Sequence, residues 1–249
     1  MRDTPHLPTT DETTLTHPPQ RQSGLKRLYA MGEMPPLGHV PARMHAWAIR
    51  RDRHGEPTTA MQLEVLPTPE IGERDVLVHV MAAGVNYNGV WAAMGAPLSP
   101  FDIHGEDVHV AGSDASGIVW AVGSKVKHWK VGDEVVVHCN QDDGDDADCN
   151  GGDPMLSPSQ RIWGYETPDG AFAQFCRVQS RQLLPRPKHL TWEESACYRL
   201  DPCLSETFTW KDLPKAHQCM ADNDHKPGNM AVLVQAPTIG LGATPRGHA

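Results

Sequence analysis

Ala111 to Val137 is the stretch that leaves this chain the fewest ways to fold. It holds two valine-rich runs, Ala115-Ser116-Gly117-Ile118-Val119-Trp120-Ala121-Val122 and Glu134-Val135-Val136-Val137, with Gly123 and Gly132-Asp133 between them. β-Branched residues favour extended backbone, and Gly with Asp supplies turn chemistry. No helical period interrupts the stretch, so it reads as strands of a small antiparallel barrel and not as a parallel α/β unit. The flanks agree. Met44 to Ile49 and Met61 to Val65 read as strands, the second by its apolar/polar alternation. Asp75 to Ala83 is a stronger strand, ending at Gly84-Val85-Asn86-Tyr87-Asn88 before a short helical stretch, Val90 to Met94. Gly170 to Val178 is a further strand. Thr191 with Glu194 forms a capping box that starts a helix. Trp210 to Asn223 carries Leu213, Ala216 and Met220 at helical spacing with Pro214 in the first turn, and Met230 to Gln235 is a last strand. The expected class is mainly β with peripheral helices (α+β).

The periphery is different in character. Residues 1–43, rich in Thr, Pro and Gln, read as a mobile arm, with Met34-Pro35-Pro36-Leu37-Gly38 able to dock as an extended segment. The main domain is expected over 44–200, a helix and strand completing it over 201–237, and a loose tail over 238–249. The polar loop 139–160 is long enough to be either functional or disordered. A net charge of −9 argues against nucleic acid as a partner. Arg50, Arg51 and Arg53 are read either as a local patch for a phosphorylated ligand such as coenzyme A or as a solvated strand end. No apolar run approaches the roughly 18 residues that span a membrane, and no secretory pattern opens the sequence, so the expectation is no membrane partner and a cytoplasmic location. The cysteines form no C-x-x-C pair and are read as reduced thiols; His138-Cys139 with Cys149 is not read as a zinc site.

Gly112, Asp114, Gly117, Val119, Val122, Gly123, Gly132, Asp133 and Val135 together resemble the G-x-D-x-x-G-x-V-x-x-V-G…G-D-x-V pattern of the medium-chain dehydrogenase/reductase superfamily. The resemblance implies a GroES-like barrel. Zinc alcohol dehydrogenases of that superfamily carry His-Glu where this chain has Ser113-Asp114, a Cys ligand where it has Asn86, and a four-cysteine lobe that is missing here. The implied branch is therefore zinc-independent. Longer stretches resemble the carboxylating enoyl-CoA reductases, the crotonyl-CoA carboxylase/reductase family: Ile49 to Pro57, Met81 to Trp91, Gly151 to Pro158 through Gly164-Tyr165-Glu166-Thr167, and His225 to Gln235. The likeness covers roughly residues 30 to 237.

That family binds NADPH on a Rossmann module inserted in the barrel domain. Here Leu200 runs directly into Asp201-Pro202-Cys203, which resembles the part after the module. The G-x-G pair Gly240/Gly242 is followed by Pro245 where a third glycine is needed. The expectation is a substrate domain that binds no NADPH itself and is inactive alone, its uncovered face a possible homo-oligomer contact. The alternatives are an enzyme completed by a cofactor module on another chain, and a non-catalytic acyl-CoA-binding or subunit-interaction fragment. The implied chemistry is NADPH-dependent reductive carboxylation of crotonyl-CoA to ethylmalonyl-CoA. On the resemblance, Asn88 is the CO2-contacting amide, with Asn86 as the adjacent candidate, Glu166 is the second CO2-site residue, and Tyr165 shields the pocket. Read without the family, Asn88 is a helix cap before Val90, and Tyr165-Glu166 a packed strand end with a surface carboxylate.

Overall fold

The computed structural model describes residues 25–197 and 204–236. The junction at Leu200-Asp201, the Gly240/Gly242 pair and the tail all lie outside the described residues. In chain order the elements are β1 (Arg43–Ile49), α1 (Pro57–Ala60), β2 (Gln62–Pro67), β3 (Asp75–Val85), α2 (Tyr87–Met94), α3 (Pro100–His104), β4 (His109–Val110), β5 (Ala115–Val122), β6 (Glu134–Val137), β7 (Asn140–Gln141), β8 (Arg161–Ile162), β9 (Phe175–Gln179), β10 (Leu183–Pro185), α4 (Trp192–Ala196), β11 (Leu204–Phe208), α5 (Leu213–Ala221) and β12 (Asn229–Leu233). The class is mainly β with short peripheral helices, as expected.

β3 organises the molecule. Every residue of it from Val76 to Val85 is buried, as a strand covered on both faces must be. One edge pairs antiparallel with β5; the other is shared, Asp75–His79 pairing with β9 and Ala82–Val85 with β12. The larger sheet runs β10-β6-β5-β3-β12-β11. A second sheet, β2-β1-β4, joins it where Trp47 N donates to Phe172 O at 2.9 Å and Gln174 N to His45 O at 3.0 Å. β3 runs two residues past the expected Ala83 because β12, far away in sequence, supplies partners for Gly84 and Val85.

Three expectations need correcting. β11 and β12 pair parallel, joined through α5, so the C-terminal part forms a β-α-β unit on an otherwise antiparallel sheet; with no side-chain period in Leu204–Phe208 the sequence did not flag a strand there. Residues 25–42 lie on the domain instead of swinging free. Tyr29 is buried, Trp120 Nε1 donates to His39 O at 2.8 Å, and Gly32 N donates to Gln235 Oε1 at 2.7 Å. The acidic loop 139–160 is also organised. Arg181 pairs with Asp142 at 2.7 Å and donates to Cys149 O at 2.9 Å, while Ser157 Oγ donates to Asp146 Oδ2 at 2.6 Å. Cys149 is thereby grouped with Asp143 and Asp146, not with His138 and Cys139, and its thiol donates to Ser157 Oγ at 3.3 Å.

Each of the three arginines, Arg50, Arg51 and Arg53, is paired with a carboxylate. Arg50 and Arg53 both commit their guanidinium groups to Glu64, each at 2.7 Å, and Arg51 pairs with Asp102 at 2.8 Å. Arg50 and Arg53, foremost, hold the Glu64 carboxyl below its ordinary range. Cys139, Cys149, Cys176 and Cys219 form no disulfide. Among the described residues no helix is long and apolar enough to cross a membrane.

Candidate functional site

The end of β3 and the start of α2 set the first half of the site. Asn86 is extended (φ −143°, ψ 171°), and its side chain accepts from Asn88 N at 3.0 Å. Asn86, not Asn88, is thus the helix cap, which corrects the cap reading of Asn88 and leaves the Asn88 amide for other work. The Asn86 amide is spent twice more: Nδ2 donates to Ser113 Oγ at 2.8 Å and to Asp114 Oδ2 at 2.6 Å. Asn88 Nδ2 reaches the same Ser113 hydroxyl at 3.3 Å and the residue stays half-buried. Ser113 and Asp114 stand between β4 and β5, next to Gly112.

The second half is the turn after β8. Glu166 closes it on itself: its backbone N donates to Ile162 O at 2.7 Å, and its Oε2 accepts from Ile162 N at 2.6 Å. Tyr165 is buried, its hydroxyl donating to Leu98 O at 2.8 Å. Burial, and then the neighbouring Glu166 carboxylate, raise the phenol above its ordinary range. Gly164 carries the turn to the first half. Its φ is +71°, and a Cβ there would lie 2.1 Å from Gly112 O, so only glycine lets this backbone reach the Gly112-Ser113 segment. The two halves therefore converge on one place, Asn86 and Asn88 by hydrogen bonds to Ser113 and the Tyr165-Glu166 turn by backbone approach to Gly112.

Two further groups border this centre. Cys139 accepts through its carbonyl from Trp163 N at 2.8 Å, and its thiol is raised by burial and then by the Asp114 charge. His217 of α5 is completely buried beneath α2. Its Nδ1 donates to Leu213 O at 3.0 Å, and its Nε2 faces Gly89, where a Cβ would lie 2.2 Å away. Sequence reasoning placed Asp114 in the superfamily motif and met Ser113 only as a departure from the zinc pattern; it weighed Cys139 only as a zinc ligand and passed over His217. Signals for Ser113 lay in its adjacency to the Gly112/Asp114 motif; none existed for His217, which looks like any polar residue on a helix.

The barrel and this strand-end site define a GroES-like domain of the alcohol dehydrogenase type, within the medium-chain dehydrogenase/reductase superfamily. Residues 72–188 match the family model for the alcohol dehydrogenase GroES-like domain. A crotonyl-CoA carboxylase/reductase of Cereibacter sphaeroides is 65% identical over 218 residues, 88% of this chain and 49% of the relative. A solved crotonyl-CoA carboxylase/reductase superposes with a TM-score of 0.85 at 39% identity, covering 88% of this chain and 94% of that one. A solved 2-octenoyl-CoA carboxylase reductase in complex with NADP and 2-octenoyl-CoA gives a TM-score of 0.60 at 32% identity, over 69% of this chain and 46% of that one. This chain belongs to the crotonyl-CoA carboxylase/reductase family, and it spans about half the length of the curated relative it matches.

Proposed function

We propose that this chain supplies the enoyl-thioester and CO2 side of a reductive carboxylation, in which an enoyl-CoA is reduced and its enolate captures CO2. The supporting observation is the convergence of Asn86, Asn88 and the Tyr165-Glu166 turn on Gly112-Ser113. Asn86 spends its carbonyl on the cap and its amide on Ser113 and Asp114, so it is a positioning residue. Asn88 keeps more of its hydrogen-bonding capacity and is the group to contact CO2, whose oxygens accept from an uncharged amide. Glu166 uses Oε2 to hold its own turn, leaving Oε1 to order a water or substrate group. Tyr165, buried and tied to Leu98 O, walls the pocket and limits water, which would otherwise protonate the enolate.

Among the described residues, those of this site do not suit zinc, and the one parallel crossover does not suit a dinucleotide. At the positions of the zinc ligands in the alcohol dehydrogenases, an amide nitrogen faces a hydroxyl and one carboxylate, and zinc takes thiolate, imidazole and carboxylate donors. The β11-α5-β12 unit is the one parallel crossover among the described residues, yet its turn, Thr209-Trp210-Lys211-Asp212, has no glycine and places a carboxylate at the helix start, which repels a pyrophosphate. The hydride source on this reading lies outside the described residues. NADPH, which the solved relative holds as its oxidised form, enters the test as an added component.

The acyl groups of the relatives, crotonyl and 2-octenoyl, point to 2-enoyl thioesters of coenzyme A as the substrate class. The experiment is NADPH oxidation with crotonyl-CoA, with and without bicarbonate, by the chain alone and with a separately produced NADP-binding domain of a relative. No turnover alone and bicarbonate-dependent turnover on addition supports the reading. Turnover by the chain alone overturns the cofactor part of it. The misfit to a dinucleotide favours a second reading, a non-catalytic acyl-CoA-binding or subunit-interaction fragment, and thioester binding without turnover under both conditions selects it.

A further inference from the structure

Both asparagines of the candidate site end on the same buried hydroxyl. Asn86 Nδ2 donates to Ser113 Oγ at 2.8 Å and Asn88 Nδ2 at 3.3 Å, and Ser113 is only 1% exposed. The two amides take both lone pairs of the oxygen. Among the described residues no acceptor takes its hydrogen. Other buried serines behave differently: Ser116 Oγ donates to Trp192 O and Ser195 Oγ to Thr191 O, each at 2.6 Å. Those two satisfy main-chain carbonyls. Ser113 instead holds two side-chain amides and leaves its own donor unpaired, which disfavours the fold and calls for a use at this spot.

The hydroxyl is held from both sides. Ala171 N donates to Gly112 O at 2.9 Å and Gly84 N to Asp114 O at 3.0 Å, which fixes the peptides flanking Ser113. Asn86 cannot turn its amide over, because its oxygen accepts from Asn88 N at 3.0 Å and its nitrogen donates to Asp114 Oδ2 at 2.6 Å. Asn88 has no such second anchor. Among the described residues its side chain makes one hydrogen bond, the one to Ser113. The terminal torsion of an asparagine is broad and roughly two-fold, so without that bond its oxygen and nitrogen can change places.

We propose that Ser113 is a positioning residue, whose hydroxyl oxygen keeps the nitrogen end of the Asn88 amide at the centre of the site, with its second N–H left for CO2. The assignment rests on the function proposed above and adds to it the residue that sets the amide's orientation. The oxygens of CO2 accept hydrogen bonds and donate none, so an Asn88 turned over would set its carbonyl oxygen against them. The enolate has two fates: its α-carbon bonds to the carbon of CO2 and gives a carboxylate, or it takes a proton from water and gives the saturated thioester. Loss of the oriented N–H favours the second. One hydrogen bond of this kind is a factor of about two to ten.

The test is Ser113→Ala in the full chain, with a matching circular dichroism spectrum as the check on folding. Ser113→Cys, a near-isostere whose sulfur accepts only weakly, is the second variant. NMR of the labelled chain reads the amide directly: in both variants the two Asn88 side-chain protons should move toward the shifts of a free amide, while those of Asn86, still held by Asp114, stay apart. With NADPH, crotonyl-CoA, bicarbonate and the NADP-binding domain of a relative added, the ratio of carboxylated to merely reduced product should fall about two- to tenfold, with the KM for crotonyl-CoA within about twofold of the parent's. An unmoved Asn88 amide, or an unchanged product ratio, overturns the role of Ser113 and leaves the function reading standing. No turnover by the parent mixture overturns the function reading and the role of Ser113 with it.

Discussion

Gly89→Ala is a substitution whose sign the packing decides. Alanine in a helix is favoured over glycine by about 1 kcal/mol, so helix propensity alone predicts stabilisation. The structure predicts the reverse. A Cβ at Gly89 would lie 2.2 Å from His217 Nε2 and 2.6 Å from its Cδ2. The imidazole has nowhere to retreat, being completely buried, held by its bond to Leu213 O at 3.0 Å, and packed edge-on against Phe172 at 5.0 Å. Overpacking of this kind costs about 1–3 kcal/mol, and swinging the ring away forfeits a hydrogen bond of about 1 kcal/mol. After the propensity gain the net is a destabilisation of about 1–3 kcal/mol, roughly 2–4 °C in Tm for each kcal/mol in a chain of this size. Urea unfolding measures it directly. In a His217→Ala background the obstacle is gone, and Gly89→Ala should become neutral or stabilising by up to about 1 kcal/mol. Stabilisation by the single change, or equal effects in the two backgrounds within about 0.5 kcal/mol, would refute the packing argument.

Three other outcomes follow from the same structure. Burial holds the imidazoles of His79, His109 and His217 down to about 4, about 3 and about 4, below their ordinary 6.5; the unfolded chain takes up protons first, so this stability is complete above 6.5 and is lost as pH falls toward those values. The slope is about 1.4 kcal/mol per pH unit for each histidine, on the order of 4 for the three together, and urea midpoints at successive pH values read it. Arg186 is almost wholly buried, pairs with Glu134 at 2.6 Å and stacks 4.3 Å over the Trp192 ring; Arg186→Met should cost about 2–4 kcal/mol in chemical denaturation, and Arg186→Lys should recover little of it because the planar fork and the stack are both lost. Asn86→Asp preserves the cap acceptor but sets a second carboxylate where Nδ2 now meets Asp114 Oδ2 at 2.6 Å; its stability deficit relative to the parent should widen as pH rises from about 5 to 7, whereas Asn86→Ala should lose about 1 kcal/mol, an amount that does not change over that range.

The barrel was legible where local pattern and final environment agree. The valine runs of β5 and β6, the Thr191/Glu194 capping box and the Leu213-Ala216-Met220 face of α5 all came from short-range signals, and both capping-box bonds are present. What escaped was set by distant partners. β11 has no period of its own and exists because β12 lies beside it. The extra length of β3 has the same cause. Segment 25–42 reads as polar arm because its anchors are main-chain groups and one buried ring, which composition does not register. In the site, the family resemblance supplied Asn88, Asn86, Tyr165 and Glu166, and local rules alone misassigned the helix cap by two residues: both asparagines suit a cap, and only the extended backbone of Asn86 separates them. The role of Gly164 depends on a positive φ and a contact with Gly112, neither of which one sequence displays.

The proposed enoyl-thioester site lies where α2, Gly112-Ser113 and the Tyr165-Glu166 turn meet. Amide nitrogen–proton NMR of the labelled chain, titrated with crotonyl-CoA, tests it residue by residue. Saturable shifts should concentrate at the side-chain amides of Asn86 and Asn88 and the backbone amides of Ser113 and Gly164 to Glu166. Shifts confined to Arg50, Arg51 and Arg53, or none at all, would contradict it.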